Sequence, residues 1–236
     1  DAAVRPRVLR GACLALGTPV TGGNVSLYNE WRAAGVAHTI PPTPTVGMVG
    51  VVADVTRHAT LAIKRTGDTL LLLGETREEL GGSTYAWHRH GLEIGRPPRA
   101  DLDHERRLQR VVRELIAAGH VDTAHDCAEG GLAVALAEMA LAAETGIAAD
   151  LGAGAVAGCS LAAAAFGESA GRIVLAVADR ELAVVRARLD DARVPHAALG
   201  RSGGSDLVLR WRDRRTRIGL DALRDAHERP LREVLA

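Results

Sequence analysis

Three short stretches concentrate residues able to do chemistry. The first, residues 21–30, reads TGGNVSLYNE. Gly22 and Gly23 let the backbone turn sharply and let its N–H groups approach a ligand. Successive N–H groups in such a turn form a concavity that attracts anions. The Asn24 carbonyl is a hard oxygen of the kind magnesium prefers, and the Ser26 hydroxyl can donate to a phosphate oxygen. An ordinary turn, with Asn24 and Ser26 bonded to their own backbone, explains the same residues. Asn24-Val25-Ser26 is also formally a glycosylation sequon, which carries no weight in a sequence showing no secretion signal.

The second stretch, AHDCAEGGLAVALAEMA, spans residues 124–140. Leu132, Leu136 and Met139 recur at helical spacing, which places Asp126, Glu129, Gly130 and Gly131 at or before a helix N-terminus. That end carries free N–H groups and positive partial charge, so it suits an anion; the acidic pair can instead hold a metal that carries a phosphate. An N-cap role for Asp126 or Glu129 explains the pattern equally well. His125 beside an acid is a candidate base, although a lone histidine is more often structural. The third stretch, FGESAGRIVLAV at residues 166–177, puts Glu168 and Ser169 in a glycine-flanked turn entering an apolar strand. Turn chemistry suffices to explain it.

The elements that position these stretches follow from periodicity. Residues 4–16 read as a helix stopped by Gly17. Residues 30–44, with Pro41, Pro42 and Pro44, read as a loop. TVGMVGVVADV at residues 45–55 reads as a buried strand interrupted by glycines. A boundary is expected near residues 57–59. Beyond it, strands are expected at 69–73, 172–178 and 207–211. Helices are expected at 102–118, 131–143, 181–191 and 220–227. The 102–118 helix carries an apolar face of Leu108, Val111, Val112, Leu115 and Ile116. The alternation implies a mixed α/β or α+β chain, and α+β is the fold class expected.

Composition excludes several classes. The 236 residues carry 29 basic and 29 acidic side chains, so the total charge points to neither nucleic acid nor an anionic membrane. Cys13, Cys127 and Cys159 lie far apart and form no CxxC, which suits a reducing cytoplasm. The Ala/Gly-rich residues 146–166 include Asp150 and are too weakly apolar to read as a membrane span. The first residue is Asp1, and the chain is read as a piece of a longer protein.

Taken together, GTPVTGGNVSLYNE, PTPTVGMVGVVADV, LGGSTYAWHRHG, HDCAEGGLAVALAE and FGESAGRIVLAV resemble the synthetase subunit of phosphoribosylformylglycinamidine synthase. The resemblance runs in family order from about Val4 to the last strand. It implies an AIR synthase-like fold: residues 1–57 as the latter part of a second, barrel-forming A domain, and residues 58–236 as an α/β-sandwich B domain. It implies an ATP-dependent amide-to-amidine ligase of purine biosynthesis using ATP and Mg2+. Gly23 would contact ATP, Asn24 would bind the metal and Ser26 would contact substrate. No catalytic residue is expected in this chain, because the family's catalytic histidine belongs to a first half. Asp126, Glu129, Gly130, Gly131, Glu168 and Ser169 are candidates for an auxiliary nucleotide site. Ala170 stands where the substrate-contacting form of that motif has Gln, which argues against a second catalytic site. The implied partners are the first half of the subunit, a glutaminase subunit, a small accessory subunit or a second copy of this chain. Two other readings are a scaffold with at most a structural nucleotide, and another ATP-dependent enzyme of the same superfamily.

Overall fold

Four consecutive leucines, Leu70 to Leu73, have no exposed surface, and the larger part of the chain is organised around them. The computed structural model describes residues 4–24, 30–40 and 44–235. Two compact units divide the chain, Asp1–Val55 and Thr56–Ala236.

The first unit contains α1 (Val4–Leu16) and the strands β1 (Glu30–Ala33) and β2 (Val36–Thr39). Gly17 takes a positive φ of 68°, and the Thr18 N–H reaches back to the Cys13 carbonyl at 3.0 Å. This closes the helix with a six-to-one bond, as the glycine predicts. The expected loop over 30–44 is corrected: β1 and β2 form an antiparallel hairpin with Trp31 opposite His38. Ala34 and Gly35 both have positive φ, 47° and 80°. That two-residue primed turn matches the right-handed strand twist. The Trp31 and His38 rings stack at 4.3 Å, the cross-strand contact that supports so short a ribbon. The expected strand over 45–55 is also corrected. Residues 44–52 have no regular structure, and Val49 and Val51 are 97% and 94% exposed. β-structure needs a ladder partner, and none pairs with this run among the described residues.

The second unit contains β3 (Thr69–Leu73), α2 (Thr84–His90), α3 (Leu102–Ala117), β4 (Ala124–Asp126), α4 (Gly131–Ala143) and β5 (Ile147–Asp150). These are followed by α5 (Leu161–Phe166), β6 (Ile173–Val177), α6 (Asp179–Asp191), β7 (His196–Ser202), β8 (Asp206–Trp211), β9 (Arg214–Gly219) and α7 (Leu220–Leu235). Seven strands form one sheet in the order β4-β6-β3-β7-β5-β8-β9. All its neighbours are antiparallel except β5 and β8. Strand alternation sends Leu70 and Leu72 to one face, with Leu132, Leu136 and Met139 of α4. Leu71 and Leu73 go to the other face, with Leu108, Val111 and Leu115 of α3 and Val185 and Leu189 of α6. Both faces are therefore covered, which is why β3 is uniformly apolar and does not alternate. The mixed α+β sandwich read from the sequence is the observed fold, and no closed barrel is present among the described residues.

α3 begins at Asp101, whose carboxylate accepts the Asp103 and His104 N–H groups at 3.1 and 3.0 Å, an ordinary N-cap. α7 runs past its expected end at residue 227, through Pro230 to Leu235. Arg229 pairs with Asp225 and Glu233 one turn to either side, and these contacts straddle the proline.

Leu72→Ala should cost about 2–5 kcal/mol of unfolding free energy, as for other fully buried leucines. Urea denaturation of the purified chain measures it; a loss below 1 kcal/mol would contradict the central placement of β3.

Candidate functional site

In the first unit, α1 delivers the chain into residues 18–24, which have no regular secondary structure. Gly23 and Asn24 lie there, both exposed. Ser26 lies outside the described residues. A magnesium ion wants about six oxygens. Asn24 offers one, and no group of three His, Cys, Asp or Glu side chains suited to a metal occurs among the described residues. Asp126 and Glu129 belong to no such group among the described residues.

In the second unit, the two remaining motifs meet at one carboxylate. Glu168 Oε1 accepts the Gly130 N–H at 2.9 Å and the Thr84 N–H at 2.9 Å. Gly130 is the N-cap of α4 and Thr84 opens α2. One negative charge thus sits against the positive ends of two helices, in the role of a capping-box carboxylate supplied from elsewhere in the chain. The expected cap by Asp126 or Glu129 is corrected: α4 has no side-chain cap of its own, and both acids are exposed.

Gly130 and Gly131 have positive φ of 78° and 72°, a left-handed pair that turns the chain from β4 into α4. A Cβ on Gly131 would stand 2.5 Å from the Gly167 carbonyl oxygen and 2.8 Å from the Phe166 carbonyl carbon. The two motifs approach so closely that only glycine fits. Phe166 stacks on Tyr85 of α2 with centroids 5.1 Å apart.

Arg172, 2% exposed, holds the 167–169 turn from beneath. Its Nε donates to the Ser169 carbonyl at 3.0 Å, one terminal nitrogen to Thr76 Oγ1 at 2.8 Å, and the other to the Gly167 carbonyl. Burial pulls its pKa below the usual guanidinium value, yet arginine stays protonated in any protein. Ser169 is buried, and its hydroxyl accepts the Arg77 N–H at 3.2 Å. His125 lies between two carboxylates, with Nε2 2.8 Å from Glu138 and Nδ1 3.5 Å from Asp126, and so ties β4 to α4. Burial pushes the Cys127 thiol up to about 11, which keeps it protonated and unreactive near neutrality.

The structure therefore gathers Gly130, Gly131, Glu168 and Ser169 into one junction, with Asp126 and Glu129 at its rim. Gly23 and Asn24 belong to the other unit. Sequence reading missed Arg172 as an organiser; a charged residue heading an otherwise apolar strand was the available signal.

A seven-stranded sheet covered on both faces, with a helix entered through this glycine pair, defines the class. The chain belongs to the family described as AIR synthase related protein, C-terminal domain, which matches residues 65–212. Among curated relatives, it is 45% identical over 232 residues to the phosphoribosylformylglycinamidine synthase subunit PurL of Deinococcus radiodurans, covering 95% of this chain and 30% of that protein. It is 48% identical over 203 residues to the PurL subunit of Moorella thermoacetica, covering 84% and 26%. The resemblance read from the motifs is thus upheld, and the chain spans about 30% of the length of the relatives it matches. Solved structures share the fold. Thermotoga maritima PurL complexed with FGAR superposes with a TM-score of 0.61 at 14% identity, over 72% of this chain and 30% of that one. The same protein complexed with ADP gives 0.60 at 13% identity, over 72% and 27%.

Glu168→Ala should strip the shared acceptor from two helix ends and cost roughly 1–3 kcal/mol, whereas Glu168→Gln, which keeps an acceptor oxygen, should cost less. Thermal unfolding of the two variants measures the difference; equal stability of Glu168→Ala and the parent would refute the junction. Gly131→Val should be worse. A β-branched residue at a left-handed φ is strained by about 1–3 kcal/mol, and its Cβ also meets backbone. An unchanged melting temperature would show that the close approach is not there.

Proposed function

We propose that this chain is part of an ATP-dependent C–N ligase that converts formylglycinamide ribonucleotide and ammonia into formylglycinamidine ribonucleotide in purine biosynthesis. The observation that carries the reading is the 45% identity, across nearly the whole chain, to phosphoribosylformylglycinamidine synthase subunits. Structures of Thermotoga maritima PurL with ATP and with FGAR support both ligands for the class.

In this reading ATP phosphorylates the amide oxygen to give an iminophosphate, and ammonia displaces inorganic phosphate at the same carbon. Residues up to 57 belong to a barrel-forming domain and residues 58–236 to the sandwich domain. Gly23, with a backbone free of side-chain bulk, lies against ATP. Asn24 gives one oxygen to magnesium, whose chemistry when bound is to neutralise phosphoryl charge. Ser26 contacts the substrate. Other segments of a longer subunit complete the site and bring the proton-transfer groups. Ammonia comes from a glutaminase subunit, a small accessory subunit joins the complex, and the enzyme works in the cytoplasm.

A scaffolding role for the second unit is the other reading. It is favoured by Glu168 and Ser169, whose polar atoms already serve internal hydrogen bonds. An auxiliary nucleotide at this junction would rest against the exposed Asp126 and Glu129.

The test replaces the matching stretch of the Deinococcus radiodurans subunit with this chain and assays amidine formation from ATP, magnesium, ammonia and formylglycinamide ribonucleotide. The chimera should turn over, and the 236-residue chain alone should not. Asn24→Ala in the chimera should lower turnover by about 2–4 kcal/mol of transition-state stabilisation and raise the magnesium requirement. Full activity of Asn24→Ala at limiting magnesium would remove Asn24 from the metal site.

A further inference from the structure

Beside the start of α3, the second unit has a pocket of about 160 Å3. Arg77, Arg99, Arg107 and Arg193 line it, together with His104 and the Ser169–Ala170 turn. Four arginines from four separate segments border a space too small for a whole organic ligand, which needs roughly 300–1,000 Å3, but ample for a tetrahedral oxyanion.

Four arginines and three carboxylates line the pocket, so a net positive charge remains. Glu75, Asp101 and Glu105 also line it. Glu75 is engaged by Arg77 at 3.1 Å, and the Asp101 Oδ1 accepts the Asp103 and His104 N–H groups. Glu105 accepts only from Gln109, at 3.3 Å. Among the described residues Arg99, Arg107 and Arg193 form no ion pair within 4 Å. The Nε of Arg107 is buried with no hydrogen-bond partner at all. A buried donor left unmatched costs stability, and native structures rarely keep one without a reason. Arg193, which also lines this space, has a left-handed backbone, φ 54°. The Nε2 of His104 donates to the Gly171 carbonyl at 2.9 Å.

We propose that this pocket binds a phosphate group, the anionic end of a small phosphorylated ligand, through Arg107, Arg99 and Arg193. Guanidinium forks match phosphate oxygens in charge and in spacing. The inference is independent of the ligase reading, since it concerns residues that reading does not use for ATP, metal or substrate.

Calorimetric titration of the full chain with inorganic phosphate, at constant ionic strength set with chloride, tests it. Saturable one-to-one binding is expected. Arg107→Leu should weaken it roughly tenfold or more, as for loss of a charge-assisted pair, without lowering the melting temperature. Arg193→Asn, whose side chain tolerates the left-handed backbone, should also weaken it and decides the matter if Arg107→Leu does not fold. Glu105→Gln should tighten binding by removing a like charge, and the exposed Arg110→Ala should leave it unchanged. Absence of saturable phosphate binding, or equal affinity in parent and both arginine variants, would overturn the proposal.

Discussion

The Glu168 carboxylate is the constraint on which the second unit turns. It satisfies amide donors at the starts of α2 and α4 with one oxygen, and each helix end would otherwise leave unbonded N–H groups at a crowded junction. Because the acceptor comes from the loop between α5 and β6, three helices and strand β6 are tied at a single point. Arg172 makes the tie rigid from below by holding the carbonyls of Gly167 and Ser169. The left-handed glycine pair at 130 and 131 is a consequence: backbone meets backbone there, with Gly167 and Phe166 against the place a side chain would occupy.

This construction bears on function. A helix N-terminus entered through glycines invites an anion-site reading. Here an internal anion already stands close to the helix end, and Ser169 is committed as an acceptor. An arginine-lined pocket beside α3, bordered by the same Ser169–Ala170 turn, is the more open place for an anion. In the first unit the chemistry-bearing Gly23 and Asn24 sit in exposed, irregular backbone, suited to contact with other segments. The valine-rich run after residue 44 is likewise exposed.

How much could be read from one dimension varied with the range of the interaction. The bounds of α1, β3 and α4 coincide with those expected, because helical periodicity, a stop glycine or an unbroken leucine run is decided by near neighbours. The hairpin β1–β2 was missed: Ala34-Gly35 lacks the Asn-Gly or Asp-Gly signature, and the nearby prolines suggested a loop. The strands β4, β5, β7 and β9 and the short helices α2 and α5 were missed as well. β5 and β7 are small-residue segments, IAAD and HAALGRS, whose β-structure depends on pairing with β8 and β3 rather than on any pattern of their own.

By itself the sequence determined the fold class and the family, since these depend on residue types at fixed spacing. Only the tertiary structure decided which turns meet. Glu168 reaches partners 38 and 84 residues away, and the four arginines of the pocket come from positions 77 to 193. No local pattern encodes such meetings, because the distance between two side chains is set by how sheet and helices stack and not by the number of residues between them.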